Sequence, residues 1–511
     1  MTLPDLERLR AEVEAYQSEL NQEYYRNYAG HQAEFDLAGI YRRHGAIFAR
    51  PQLEAVRAEL ERVEEQLYTW DGEVTGPAGD DAKRLRFLYE FLLQGHLGER
   101  VKEADEALTI EEAKAVVKVD GEEIPYRQLS ARVANTADRR ARARLHAAGV
   151  AEQERRNPDR LARWRSLHAA ARELGYRDYA HLCAESRQLD LEQLVSQLSG
   201  LLRETDDLYE AALAPAWQAA VGRSLAGAQQ HDLARLWRAP QFDRYFPAGR
   251  VVDALQSSLA GLGIELAAQH NIVLDTEARP GKAPRAFCAP VRVPDEIYLV
   301  ILPKGGPDDY EAILHEAGHA EHFGHTGAHR PMEYRWLGDY AVTEAHAFTL
   351  EHLVTEPGWL AELGLPDDEA LAFRRFAYLK RLFFVRRYAG KLAYEWDLHR
   401  ADDPALLRES YVNHLLEATL VHYPGANFLT DLDDAFYAAN YLRAWLLEAQ
   451  VKETLRQRFG PQWFKSVRAG QFLRGLWEHG EQLTAEELSA ELGWPALDPA
   501  ALLAELKAAL G

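Results

Sequence analysis

The feature that most constrains this chain is the run Asp308 to His325, DDYEAILHEAGHAEHFGH, which contains His315-Glu316-Ala317-Gly318-His319. Residues four apart share one face of an α-helix, so a helical run aims the imidazoles of His315 and His319 at one place. Glu316 is their neighbour on the turn and reaches a water held at that place. Two histidines and a carboxylate at this spacing make a zinc site with an adjacent general base. Asp308 as N-cap, Glu311 as its capping-box partner and Pro307 just before them predict where the helix begins.

A catalytic zinc takes three protein ligands and keeps one position open for water. The segment Tyr340 to Glu351, YAVTEAHAFTLE, has helical spacing and supplies Glu344 as the third ligand. This predicts a second helix packed against the first. Glu351 lies two turns further along the same face, placed to support a ligand from behind. One Zn2+ per chain is expected.

The pattern His315-Glu-Ala-Gly-His319-Ala-Glu-His322, followed by Glu344 and Glu351, resembles the thimet oligopeptidase and oligopeptidase F family of zinc metallopeptidases, of the gluzincin type. The resemblance is firm from about Arg279 to Gln450. Peptidyl dipeptidases of the angiotensin-converting type and Taq-type carboxypeptidases share the wider architecture but match the flanking residues less well. The resemblance implies a mostly α-helical, elongated, two-lobed body with a deep cleft and a small antiparallel β-sheet next to the zinc helix. It implies an oligoendopeptidase acting on short peptides, with zinc held by His315, His319 and Glu344 and with Glu316 as general base. His322 and Glu351 would stand behind the ligands. In the run Phe436 to Trp445, FYAANYLRAW, the resemblance gives Tyr441 the role of hydrogen-bond donor to the oxyanion, with Tyr437 second. Ala438 and Ala439 stand where the family often has another tyrosine, and Leu429 stands near its expected histidine. His422 is the substitute on offer. The sheet's edge strand, with Gly281, Lys282, Ala286 and Phe287, would line the cleft.

Two other activities stay open at this point. An exopeptidase on the same scaffold would need a cation for the substrate's terminal carboxylate, and Arg386, Arg387, Lys391 and Arg443 are candidates. A non-catalytic zinc-containing binding protein is the other, although structural zinc usually closes with four ligands, often cysteine.

Composition narrows the partners. The net charge of −21 lacks the basic footprint that nucleic-acid binders need. Only Cys183 and Cys288 are present, so no disulfide framework is expected and a reducing compartment fits. The charged N-terminus lacks a signal-peptide core, and no run approaches the ~18 apolar residues of a membrane span. A cytoplasmic enzyme is expected, with no membrane or nucleic-acid partner.

Along the chain, Leu6, Leu9, Val13, Tyr16 and Leu20 form a stripe typical of an amphipathic helix. Residues 71 to 81, DGEVTGPAGDD, read as a loop, and Val116 to Tyr126 as a short hairpin around Asp-Gly. The arginine-rich run from Arg139 to Arg165 reads as a solvated helix face. Two strands are expected near Ala286–Val293 and Ile297–Leu302. Residues 1–278 are read as a helical part forming one cleft wall and 279–511 as the catalytic part, with an approximate boundary inside one structural unit.

Overall fold

A computed structural model of the chain describes residues 3–68 and 77–511. Twenty α-helices and five short strands are found among the described residues, so the protein is mostly helical with two small sheets. No described helix is long and apolar enough to cross a membrane.

The chain groups into two compact units, neither of them one continuous stretch. The first comprises 1–96, 241–374 and 443–502; the second comprises 97–240, 375–442 and 503–511. This differs from a cut at residue 278, because residues 241–278 join the unit that carries the His315 motif.

The first unit is built on helix α1 (Leu3–Tyr28) and a three-stranded sheet, β1 (Ile272–Asp275), β2 (Phe287–Arg292) and β3 (Glu296–Val300). The stripe predicted for α1 is buried at Leu6, Leu9, Val13 and Tyr16. Further along, Tyr25 and Ala29 pack on Ala289, Val291 and Val300 of the sheet, and the Tyr25 and Tyr298 rings stack 3.7 Å apart. The expected pair of strands is present as β2 and β3, which run antiparallel. The sheet is mixed, however: β3 is its middle strand and β1 joins its other side in parallel. Parallel pairing is non-local and has no turn signature, and β1 is only four residues long, so nothing in the sequence announces it. Pro290 lies in β2, an outer strand, where its missing N–H costs no ladder bond.

Helix α2 (Pro307–His325) carries the motif. It begins two residues earlier than expected, with Pro307 at its first position and Gly306, not Asp308, as N-cap at φ 92. No side chain caps it. Instead the Asp309 carboxylate accepts the N–H groups of Lys304 and Gly305, the latter at 2.7 Å, and so closes the preceding turn. Asp308 and Asp309 sit in the first turn, where carboxylates favour the positive end of the helix.

Helix α3 (Tyr340–Glu351) packs against α2. A Cβ on Gly318 would lie 2.5 Å from the Ala347 Cα and 2.6 Å from the His346 carbonyl oxygen, so this approach requires glycine. Asp339 caps α3 by accepting the Ala341 N–H. The same carboxylate accepts Nη1–H of Arg443 and the N–H of Ala485, so buried Arg443 fixes where α3 starts.

In the second unit, Val116–Val119 and Glu122–Pro125 form the expected hairpin. Its loop residues Asp120 and Gly121 both have positive φ, 52 and 88, the geometry Asp-Gly supplies most readily. The loop expected at 71–81 is shorter than read: residues 77–81 are already the start of the helix Pro77–Lys114. Residues 71–76 lie outside the described part.

Candidate metal and catalytic site

Helices α2 and α3 bring His315, His319 and Glu344 together. Nε2 of His315 is 3.4 Å and Nε2 of His319 is 3.7 Å from one oxygen, Oε2, of Glu344. One donor atom from each of the three residues lies within 4.8 Å of the others. A tetrahedral zinc with bonds of about 2.0–2.1 Å separates its ligand atoms by about 3.4 Å, so this N,N,O set fits such an ion after small side-chain movements.

Both imidazoles are held by their other nitrogen. Nδ1–H of His315 donates to Oε2 of Glu351 at 2.7 Å, and Nδ1 of His319 meets the Thr343 hydroxyl at 2.8 Å. These bonds fix the ring orientations and leave each Nε2 toward Glu344, the usual support of a metal-binding histidine. Glu351 is where the spacing put it. Thr343 was not foreseen. It directly precedes Glu344, and its helix face brings it under the second imidazole.

Glu316 is tied down by the sheet: its Oε2 accepts the main-chain N–H of Cys288, on β2, at 2.8 Å. A backbone donor has no side-chain signature, so no sequence motif could announce this contact. Burial pushes the Glu316 carboxyl up to about 7, although His315 and the Cys288 N–H pull it down. Burial opposes a charge on His315, but the Glu344 and Glu351 carboxylates outweigh it and hold that imidazole well above its ordinary value. His319 is held well below, by burial and by the neighbouring His315 and His322. With two carboxylates against it, His315 holds a proton that a divalent cation would have to displace.

His322 is fully buried behind α2, where its Nε2–H donates to the Gly480 carbonyl at 3.1 Å. Burial lowers it to about 4. Its hydrogen bond thus goes to the supporting structure, not to His315, His319 or Glu344. Of the residues read as cleft lining, Lys282 is buried and spends its ammonium on Asp275 and the Glu277 carbonyl. It is therefore a structural cation. Phe287 is half-buried on β2 with its ring edge-on to Tyr28.

Tyr437, Tyr441 and His422 belong to the second unit. The Tyr441 ring lies edge-on to both Tyr388 and Tyr437, at 5.4 and 5.2 Å, forming a half-buried tyrosine group. Tyr388 was not singled out by the sequence. The run Phe436 to Trp445 is not helical throughout: Ala435 and Phe436 have φ 53 and 55, and helix α4 begins at Ala438 and runs to Phe459. Arg187 and Tyr179 hold this strained turn through the Ala435 carbonyl and N–H. His422 is exposed, and its main chain pairs with Ala228 and Gln230. Leu429 is buried.

No protein-family model matches this chain, and no curated relative does. Solved structures do match in fold. PZ peptidase A with inhibitor 2 has a TM-score of 0.65 at 14% identity, covering 98% of this chain and 90% of that one. A protein assigned as a peptidase from Chlamydophila abortus has a TM-score of 0.67 at 13% identity, covering 99% and 88%. One assigned as an oligoendopeptidase F has a TM-score of 0.66 at 15% identity, covering 99% and 91%. From end to end, this chain has the fold of the oligoendopeptidase F-like peptidase structures.

Proposed function

We propose that this protein is a zinc-dependent metallopeptidase of the thimet oligopeptidase and oligopeptidase F type, hydrolysing short peptides internally. The observation that carries the reading is the convergence of His315, His319 and Glu344 within reach of one ion, with Glu316 anchored beside them. Those three residues would hold one Zn2+, which when bound lowers the pKa of its water and polarises a carbonyl.

The chain's own groups do the rest. Glu316 takes the proton of the attacking water and delivers it to the leaving amine. With Oε2 fixed by the Cys288 N–H, its other oxygen is the one that carries the proton. Glu351 and Thr343 keep the two imidazoles in register. Tyr441, with Tyr437 as the second choice, donates a hydrogen bond to the oxyanion, the role the resemblance assigns it. The outer strand β2 offers main-chain groups to an extended peptide, which selects peptide conformation over side-chain identity.

The exopeptidase reading is disfavoured by the state of its four candidate cations. Arg386 is fully buried and bonds the Ala418 carbonyl, Thr205 and Asp206. Arg387 pairs with Asp431, Lys391 with Asp433 at 2.8 Å, and Arg443 with Asp339 and Glu486. Each already has its carboxylate. A substrate terminus would have to compete with a built ion pair.

The test is digestion of a mixed peptide library by wild type and by Glu316→Gln, with and without a chelator, read by mass spectrometry beside zinc content. Internal cuts that vanish in the variant, with zinc still near one per chain, support the assignment. Normal activity in that variant refutes it.

A further inference from the structure

The arginine-rich run is not uniform. Arg139, Arg142, Arg144, Arg155, Arg156 and Arg163 each meet a carboxylate within the second unit, as expected in a chain of net charge −21. Arg165 does not. It lines a cavity of about 470 Å³ together with Arg172, Arg177 and Arg400. A volume in this range is that of an ordinary small-ligand pocket. Arg165, Arg172 and Arg400 have no carboxylate partner among the described residues. Two acids share the lining, Asp178 and Asp402, but Asp178 is already committed to Arg177 and to the His181 N–H that it caps.

The placement follows from one helix, Arg139–Glu173. Arg165, His168 and Arg172 recur at three- and four-residue intervals and so share a stripe. His168 and His399 are buried among the lining residues, with Nε2 of the first and Nδ1 of the second in a 3.0 Å hydrogen bond. The Trp164 ring stacks on His168 at 3.6 Å, which stiffens that wall. The remaining nitrogen of each histidine makes no hydrogen bond among the described residues. Burial, aided by Arg172, lowers His168 to about 4, so this wall presents neutral donors or acceptors beneath a cationic rim.

We infer that this cavity is a binding site for a small polyvalent oxyanion of the phosphate or pyrophosphate class. Guanidinium groups recognise such oxygens in paired, planar fashion. Arginines without a carboxylate partner gathered on one concavity, while Arg139, Arg142, Arg144, Arg155, Arg156 and Arg163 of the same helix each meet one, are what an anion site requires. The site is independent of the peptidase reading, because all of its residues lie in the unit that does not hold His315.

Titration calorimetry on the intact chain with inorganic phosphate and with inorganic pyrophosphate tests this. Saturable binding of at least one of them below about 1 mM is expected, weakened about tenfold or more in the triple variant Arg165→Gln, Arg172→Gln, Arg400→Gln. All three arginines are exposed, so the variant should fold, and its melting temperature checks this. Arg140→Gln, an exposed change outside the cavity lining, should leave binding unaltered. Absence of saturable binding for both anions, or equal binding in the wild type and the triple variant, overturns the assignment.

Discussion

Gly318 and Ala347 meet where α2 and α3 pack, so closely that a methyl group on the glycine would fall 2.5 Å from the partner's Cα. Both neighbours it would strike are main chain, so no rotamer change relieves the clash. Gly318→Ala must push the helices apart. The expected cost is about 1–3 kcal/mol of stability, the usual range for overpacking. Because His315 and Glu344 sit on the two separated helices, zinc affinity should fall as well. Chemical denaturation and a competitive zinc titration read the two effects.

Glu351 orients His315 through a 2.7 Å bond without being one of the three proposed ligands. Glu351→Gln keeps the shape and removes the charge. Zinc affinity should drop about 10–100-fold, the scale for losing such support, while the peptide cut pattern at saturating zinc stays the same. An unchanged affinity would count against the bond's role.

Tyr441→Phe removes one hydroxyl from the tyrosine group beside Tyr388 and Tyr437. Loss of one oxyanion donor lowers kcat by about 10²–10³ with KM much less affected. If Tyr437→Phe shows that drop and Tyr441→Phe does not, the two roles are exchanged.

Arg443 lies between the carboxylates of Asp339 and Glu486 and is buried. Arg443→Gln leaves both acids without their cation, and breaking such a pair costs about 3–5 kcal/mol. The ratio of cleavage of a peptide to that of its C-terminally amidated form should not move, because this arginine does not read substrate. A change in that ratio would revive the exopeptidase reading.

Glu481 is buried, and burial raises its carboxyl to about 7 even though the Gly338 N–H bond favours the charged form. An acid whose pKa is higher folded than unfolded stabilises the fold most while protonated. Its contribution is complete below the unfolded value of about 4.3 and is lost as pH rises toward 7, amounting to roughly 3 kcal/mol. Glu481→Gln keeps an acceptor for Gly338 and cannot ionise. The variant's stability relative to wild type should therefore rise between pH 4.5 and 7.5, as measured by urea unfolding at each pH.

Parts of this molecule were legible because they are local. The α1 stripe, the Asp120-Gly121 hairpin and the α2 motif each depend on residues a few positions apart, where side-chain period and turn chemistry act directly. Strand β1 was hidden because its partner lies 25 residues on, and the start of α2 differs because Gly306 and Pro307 open the helix ahead of Asp308, which sits in its first turn instead of capping it. Lys282 reads as cleft lining and Arg443 as a candidate cation for a substrate carboxylate. Only their buried partners, Asp275 for one and Asp339 for the other, reveal a structural use.

By itself, the sequence determined that His315 and His319 share a helix face with Glu316 beside them, since α-helical geometry leaves residues at that spacing no other arrangement. It also offered Glu344 and Glu351 at helical spacing from each other. The tertiary structure decided that the two helices approach closely enough for three donor atoms to converge, that Thr343 and Glu351 take the outer nitrogens, and that a main-chain N–H of Cys288 holds Glu316. The reason is distance: spacing along a helix fixes direction within that helix, but contact between segments depends on packing, and packing is set by the whole core at once.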